Sequence, residues 1–406
     1  MFQFFLILLV ITSLAFPAKA ETPSGPDAPT GSFARLLDKL RQHPEIAAYA
    51  QRAEASGNYA EGELGLPDPM LEAQVQDYPI GNSSSSGSEE KMIGFKQEIP
   101  AFGTRGARSE KGQAESRKNR LLGEYAFASM KAKLIVTLAN RQRIGEQEKI
   151  LDQQAGLFKS ERASLKGRIS ANQAGASQLS LSQADSTEVE IMRAGLMEEK
   201  HEAEAMLTNM LGEIPEVSPP PVERAAWDSN PDRTYPVKVA GEDVAMAQKD
   251  VDLREAEYGP RFEVRADYGR FNNSDNAVTA MVGVSIPIWA EASQAPRLSG
   301  AKAALSSAKF DQDMARRNVI EKLNHLKAQI DTSAKKIELL EHKESLLSAS
   351  SGAQTREYEA GKAEFVLPLK TRREALSVRY QLAAERAKRI ALIADFNHYF
   401  VDGETR

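Results

Sequence analysis

The chain has 406 residues, a formal net charge of −5, 27% charged residues and 7% aromatic residues. Aromatic residues are too few for several large compact cores, and this composition is typical of long, solvated helices. The acidic balance, without clustered Lys and Arg, argues against nucleic acid as a partner. Because the chain contains no cysteine, it has neither a disulfide framework nor the thiol needed to attach acyl chains at a mature N-terminus.

The first 20 residues predict a cleaved export signal. An apolar run over residues 2–17 ends in Ala18-Lys19-Ala20, which matches an A-x-A cleavage pattern. A transmembrane anchor is the alternative, but the run is shorter than the roughly 20 apolar residues that cross a bilayer. We therefore expect an exported protein.

The same order of motifs occurs twice along the chain. Three pairs of prolines mark it, separated by 192, 193 and 187 residues: Pro44 and Pro236, Pro67 and Pro260, and Pro100 and Pro287. Agreement of this kind predicts a tandem structural repeat. The expected divisions are a signal peptide at 1–20, a first repeat at 21–212, a proline-rich linker at 213–234 and a second repeat at 235–406. Each repeat carries a β-hairpin, at about 70–100 and about 261–288, followed by long helices at about 102–212 and about 296–400.

Alternation within the hairpins predicts strands with one apolar and one polar face. The apolar, lipid-facing candidates are Phe262, Val264, Tyr268, Val282, Val284 and Ile286. The polar, lumen-facing candidates are Glu72, Gln74, Gln76, Glu263, Arg265 and Asp267. Segments of this length suit tilted transmembrane strands of about 9–11 residues. Half-buried hairpins packed on a soluble core are the alternative.

The segments after the hairpins predict very long helices that pack lengthwise. No proline occurs from Phe102 to Ile169, so a helix of about 65 residues would reach about 100 Å. In the second repeat a heptad runs from Val319 to Leu347, and in the last helix Leu369, Leu376, Ala383 and Ile390 recur every seventh residue. These patterns are typical of coiled coils.

Four membrane-length strands cannot close a barrel, and an open sheet edge in lipid leaves backbone groups unpaired at several kcal/mol each. Three copies would supply about 12 strands, an even number within the range of outer-membrane barrels. The expected fold class is therefore mainly α with membrane β-strands. In it, a trimeric 12-stranded β-barrel is continued by a long α-helical coiled-coil tunnel.

Five short motifs stand at corresponding points of the two repeats or at their ends. They are Leu66-Pro67-Asp68-Pro69-Met70-Leu71, the segment Gln97-Glu98-Ile99-Pro100-Ala101-Phe102-Gly103, the segment Val282-Gly283-Val284-Ser285-Ile286-Pro287-Ile288, the turn Tyr358-Glu359-Ala360-Gly361 and the pair Leu211-Gly212. In this order they resemble TolC-like outer membrane factors. The resemblance implies a homotrimeric efflux duct in the Gram-negative outer membrane, with most of its mass in the periplasm. It also implies three kinds of partner: a periplasmic adaptor (membrane fusion protein), an inner-membrane RND-type pump and outer-membrane lipid. The Pro-Asp-Pro-Met-Leu opening resembles the heavy-metal efflux branch.

The resemblance also places a gate at the periplasmic tip, where the helices reverse. The gate candidates are Gly175, Ser180, Asp185, Tyr358, Gly361 and Glu364. The chain departs from the family pattern, because Ser180 and Val366 stand where acidic residues are usual. The two glycines can also be explained as simple helix C-caps.

No pattern of residues predicts an enzyme or a cofactor site. The five histidines, His43, His201, His325, His342 and His398, lack metal-ligand spacing, so we expect surface or interface roles for them and no bound metal. The eleven methionines are dispersed and indicate helix packing. Two functional alternatives remain: a duct for drugs or secreted proteins, and a non-membrane periplasmic coiled-coil structural or adaptor protein.

Overall fold

The computed structural model describes residues 31–76, 90–171, 176–271, 275–362, 364 and 366–401. The elements of the first half are α1 (Gly31–Arg41), α2 (Pro44–Gly62), β1 (Met70–Gln76), β2 (Glu90–Ile99), α3 (Thr104–Ser170) and α4 (Ala176–Leu211). Those of the second half are α5 (Tyr235–Ala256), β3 (Arg261–Phe271), β4 (Asp275–Ser285), α6 (Gln294–Glu359) and α7 (Val366–Asn397). From α2 onward, the order helix, two strands, two helices therefore occurs twice.

The four strands form one sheet in the order β1-β2-β3-β4, with every neighbouring pair antiparallel. Strand β2 of the first half pairs with β3 of the second, so the two halves share a sheet. Strands β1 and β4 are its two edges within the chain.

Strand β4 ends earlier than the alternation predicted. It stops at Ser285, so Ile286 lies just beyond the strand. Pro287 explains the difference, because proline has no N–H for the strand ladder and restricts the residue before it.

The long helices pack side by side as a wall. Near the tip the order across the wall is α4-α3-α7-α6, and nearer the sheet it is α2-α3-α5-α6. Helix α3 has 67 residues and α6 has 66, about 100 Å each. The heptad positions Val319, Leu323 and Leu326 are buried, as are Leu376 and Ala383 of α7. Small residues such as Ala383 let α7 approach its neighbours closely.

The segment between α4 and α5 forms a belt across the middle of the wall. It contains only a short 3₁₀ turn at Pro231–Arg233. Trp227 packs beside the core of α6 and α7, and its indole N–H donates to Asn324 at 3.0 Å. None of the described helices is both long enough and apolar enough to span a bilayer. The signal-peptide prediction at 1–20 lies outside the described residues.

Candidate functional site

The polar face of the sheet carries all the lumen-facing candidates, and five of the six join in one network. Its centre is Arg265, whose Nε lies 2.9 Å from both carboxylate oxygens of Asp267. One terminal nitrogen of Arg265 lies 3.1 Å from Glu72 Oε2, and the other donates to Gln74 Oε1 at 3.3 Å. The guanidinium therefore joins β3 to β1 across β2 and uses the planar fork geometry that suits carboxylates.

Two further contacts add the remaining lumen-facing candidates to this face. Lys96 Nζ lies 2.9 Å from Glu263 Oε2, and Gln74 donates to Gln76 at 3.3 Å. The alternation had placed Lys96 on the polar face without selecting it as a site residue. Only the strand register shows that Lys96 lies beside Arg265 and opposite Met70. No signal in the sequence reveals that register.

A glycine makes room for the buried acid of the network. Asp267 is 6% exposed and lies opposite Gly94 on β2. A Cβ at Gly94 would overlap the Asp267 carboxylate. The small residue therefore lets the carboxylate lie against the β2 backbone, where Arg265 neutralises it.

The opposite face of the sheet is apolar and exposed. Register pairs Phe262 with Val284, Val264 with Val282 and Tyr268 with Val278. Val282 is 68% exposed and Val278 74% exposed. Five of the six lipid-facing candidates thus share one face, and Ile286 continues it just past β4 with 67% of its surface exposed.

The turn between α6 and α7 is a Schellman motif centred on Gly361. Gly361 has φ 73°, its N–H donates to the Tyr358 carbonyl at 2.9 Å, and the Lys362 N–H donates to the Glu357 carbonyl at 2.8 Å. Glycine takes this left-handed conformation without strain. Glu364 lies in the same turn and its carbonyl accepts from the Leu367 N–H at 3.2 Å. Gly361 therefore ends α6 as the left-handed residue after the C-cap Ala360, and a gating role for it stays a prediction.

The other gate candidates occupy different positions near the tip. Gly175 lies outside the described residues. Ser180 is exposed, and its hydroxyl donates to the Ala176 carbonyl of its own helix at 3.4 Å. Asp185 accepts from Arg373 of α7 at 3.3 Å. Asp185 therefore takes part in an ion pair between helices.

Arg373 organises a buried cluster that the sequence analysis did not identify. It lies 3.4 Å from Glu161 Oε2 and covers the Phe158 ring with its guanidinium carbon 4.7 Å from the centroid. Glu161 is 6% exposed and also accepts from Ser182 at 3.5 Å. The cluster links α3, α4 and α7. Its members are far apart in sequence, so only the packing of the wall brings them together.

His398 does not lie at the surface of the chain, which was one of the two roles expected for the histidines. Its side chain is about 10% exposed, stacks on Tyr125 with ring centroids 5.7 Å apart and also contacts Tyr399. At this point α7 packs against α3, and just beyond α7 the Tyr399 carbonyl accepts from the Tyr235 N–H of α5 at 2.9 Å, which encloses the ring. Burial lowers the pKa of His398 and raises the pKa of Tyr125 to about 12.

Comparisons with known proteins show that the fold of this chain is similar to that of solved outer-membrane channels. The family model described as outer membrane efflux protein matches residues 233–394. The outer membrane protein VceC from Vibrio cholerae superposes with a TM-score of 0.73 at 14% identity, covering 90% of this chain and 95% of VceC. The CmeC outer membrane channel of Campylobacter jejuni superposes with a TM-score of 0.73 at 11% identity, covering 92% of this chain and 87% of CmeC. The open-state MtrE outer membrane channel of Neisseria gonorrhoeae superposes with a TM-score of 0.74 at 14% identity, covering 90% of this chain and 88% of MtrE.

No curated protein sequence matches the chain. The family match and the shared fold nevertheless confirm the resemblance to TolC-like outer membrane factors. The mainly helical fold with a small antiparallel sheet is confirmed as well. At these identities, the solved structures carry the fold alone.

Proposed function

We propose that this chain, whose residues 233–394 match the outer membrane efflux protein family, forms the passive exit duct of a tripartite efflux system. Three copies would close a 12-stranded barrel in the outer membrane and continue it as a helical tunnel into the periplasm. The observation that carries the proposal is that both the sheet and the helical wall end, on each side, in an element with no further neighbour among the described residues of the chain.

The sheet and the helical wall each end in two edges. In the sheet the edges are β1 and β4. In the helical wall they are α2 and α6 near the sheet, and α4 and α6 near the tip. An unpaired strand edge in lipid leaves N–H and C=O groups unsatisfied at several kcal/mol each. Pairing β4 of one copy with β1 of the next removes that penalty and leaves no edge after three copies.

Exposed apolar side chains line the helical edges. Ile191 and Met197 of α4 are 60% and 53% exposed, and Leu346 and Leu339 of α6 are 58% and 56% exposed. Ile191 and Leu346 both lie about four turns from the tip, and Met197 and Leu339 about six. The matching heights support an α4–α6 contact between neighbouring copies.

The two faces of the sheet support a membrane position. The apolar face would contact lipid, and the charged face would line the lumen. Phe102 packs on Phe262 with centroids 5.8 Å apart, and Trp289, 79% exposed, follows β4 at the helical end of the sheet. Aromatic residues at this level are typical of the membrane–water interface.

This chain would pass its cargo on without changing it chemically, and the net negative charge of the polar sheet face favours cations. Among polar-face positions whose side chains are described, acids outnumber bases by five to three. The acids are Glu72, Glu90, Glu98, Glu263 and Asp267, and the bases are Lys96, Arg261 and Arg265. Heavy-metal cations are therefore our preferred cargo, delivered by an inner-membrane RND-type pump through a periplasmic adaptor. The electrostatic argument predicts a preference of the pore for cations.

One experiment separates this function from its alternatives. Membrane fractions run on heated and unheated gels should show a detergent-dependent trimer that dissociates on heating, and the purified trimer should form ion-conducting pores in a planar bilayer. A soluble monomer would instead support the periplasmic coiled-coil structural or adaptor protein. Deleting the gene and comparing sensitivity to metals and drugs distinguishes metal cargo from a duct for drugs or secreted proteins.

A further inference from the structure

A cavity of about 290 Å³ lies where the belt crosses the helical wall. Its lining comes from α1, from α3, from belt residues 220–223 and from the end of α7. On α3 the lining runs from Ala128 to Ile135. Because α3 begins beside the sheet at Thr104, the 24 residues up to Ala128 place the cavity roughly 36 Å from the sheet. The cavity is therefore separate from the charged face of the sheet.

Most of the cavity wall is apolar, and much of it is aromatic. Phe33 of α1 and Phe400, which follows α7, each supply a ring, and Ile135 of α3 packs against Ala394 of α7. His398 adds a third ring. Burial lowers the pKa of His398, so this ring is neutral at pH 7. Aromatic side chains pack well against another ring in offset or edge-to-face arrangements. The wall thus favours a ligand with an aromatic body.

Lys131 of α3 is the cation of this cavity, and it lacks an anion. Its side chain is half-buried. Within the described part of the chain it forms neither a hydrogen bond nor an ion pair. By contrast, Lys118 on the same helix lies 2.6 Å from Asp243 Oδ1. Burying part of a charge without a partner costs free energy. A ligand carboxylate would compensate by accepting a charge-assisted hydrogen bond from the ammonium group.

Glu223 is the only acid among the described residues that line the cavity. Its backbone carbonyl accepts from the Asn397 side chain at 2.7 Å, which holds the belt against α7. Its carboxylate forms no ion pair with Lys131. Glu223 is exposed, so solvent and salt screen its repulsion of an anionic ligand. Removing this charge should therefore strengthen the binding of an anion.

The volume limits the size of the ligand. A cavity of about 290 Å³ holds roughly ten groups of the size of a water molecule, at about 30 Å³ each. We propose that the cavity binds a small aromatic carboxylate, with its carboxylate on Lys131 and its ring against Phe33 and Phe400. The bound acid would contact both halves of the chain and the belt that joins them. All the lining residues belong to one chain, so the site does not depend on the proposed duct.

The test uses the full-length detergent-purified protein and 3-phenylpropanoate as the probe, with binding measured by isothermal titration calorimetry. The native protein should bind the acid with a Kd below about 1 mM. Lys131→Gln should weaken binding roughly tenfold, which corresponds to about 1.4 kcal/mol. The neutral alcohol 3-phenylpropanol should bind the native protein and Lys131→Gln with the same, weaker affinity. This comparison isolates the contact between the ammonium and the carboxylate.

Three further variants separate the site from general effects. Lys133→Gln is the matched control, because Lys133 is exposed on the same helix and does not line the cavity; it should bind the acid like the native protein. Ala128→Leu extends a side chain into the cavity and should weaken binding of both the acid and the alcohol at least tenfold. Glu223→Gln should strengthen binding of the acid alone. Thermal unfolding of each variant verifies that it is folded.

Four results would overturn the site. They are no binding of the acid to the native protein at millimolar concentration, equal affinities for the acid and the alcohol, unchanged binding in Lys131→Gln or Ala128→Leu, and an equal loss in Lys133→Gln. Conductance in planar bilayers is measured on the same samples. Failure of the duct proposal would appear as absent pores with acid binding retained, whereas failure of this site alone would leave conducting pores.

Discussion

At the scale of single residues, the Arg373 cluster couples the two helical hairpins near the tip. Replacing Arg373 by Leu leaves Glu161 buried beside Phe158 without its cation. Removing one partner of a buried ion pair destabilises by about 3–5 kcal/mol, and because Arg373 is partly exposed we expect roughly 2–3. The melting temperature of the detergent-solubilised protein should fall. The neighbouring exposed Arg372 is the control, and an equal fall in Arg372→Leu would contradict the role of the cluster.

His398 predicts an acid-sensitive stability. Burial holds its pKa in the folded protein below the value of 6.5 expected when unfolded. The unfolded chain therefore binds the proton more readily, so stability is complete above pH 6.5 and decreases as the pH falls from there toward the folded-state pKa. Lys322 and Asp395 are the charged groups that act on the ring. Melting temperatures at pH 7.5, 6.5 and 5.5 should show a smaller acid-induced decrease in His398→Gln than in the native protein. The exposed His201, changed to Gln, should leave the decrease unaltered.

At the scale of elements, two glycines of the α6 region have opposite roles. Gly361 has a positive φ, so Gly361→Ala should destabilise by about 1–2 kcal/mol. Gly352 lies inside α6 with no atom within 4 Å of an added Cβ, so Gly352→Ala should stabilise by about 0.5–1 kcal/mol. Thermal unfolding of both variants measures the contrast. A change of the same sign in both would show that the turn does not depend on the left-handed backbone.

The contacts of Arg265 on the polar face of the sheet predict how the proposed duct discriminates between ions. Arg265→Gln removes one positive charge beside Glu72 and Asp267, so the preference for cations should increase. The reversal potential of the reconstituted pore in a salt gradient measures it. Arg265→Lys, which keeps the charge, should retain the native value, and Arg265→Gln/Asp267→Asn should restore it while removing the unpaired buried acid. An unchanged reversal potential in Arg265→Gln would place this face outside the ion path.

At the scale of the whole molecule, the absence of cysteine makes subunit contacts measurable by cross-linking. In Ile191→Cys/Leu346→Cys the thiols lie at the same height on opposite edges of the chain. Oxidation should therefore link copies into dimers and trimers on a denaturing gel. Pairing Ile191→Cys with Phe310→Cys is the control, because Phe310 lies on α6 about 70 Å from the tip. Equal yields of cross-linked dimers and trimers from both pairs would indicate random collision. Absence of cross-linked species from the first pair would contradict the α4–α6 interface.

The sequence by itself determined the elements of this protein, because each depends on local periodicity. The proline-free run after Phe102 specifies α3, the heptad from Val319 specifies the α6 surface that packs on α7, and alternation specifies the two sheet faces. Local signals also predicted the turn at Gly361. The alternation of apolar residues continues to Ile286, past the end of β4, because alternation alone does not reveal that Pro287 lacks an N–H for the strand ladder.

Only the tertiary structure decided which distant residues meet. Arg265 reaches Glu72 on β1, and Arg373 joins Glu161 to Asp185, through the register of four strands and the order of four helices. His398 became buried because α7 ends against α3 and the segment just after it is hydrogen-bonded to the start of α5. Register and helix order arise from the summed burial and pairing of whole elements, and no short stretch of sequence encodes either.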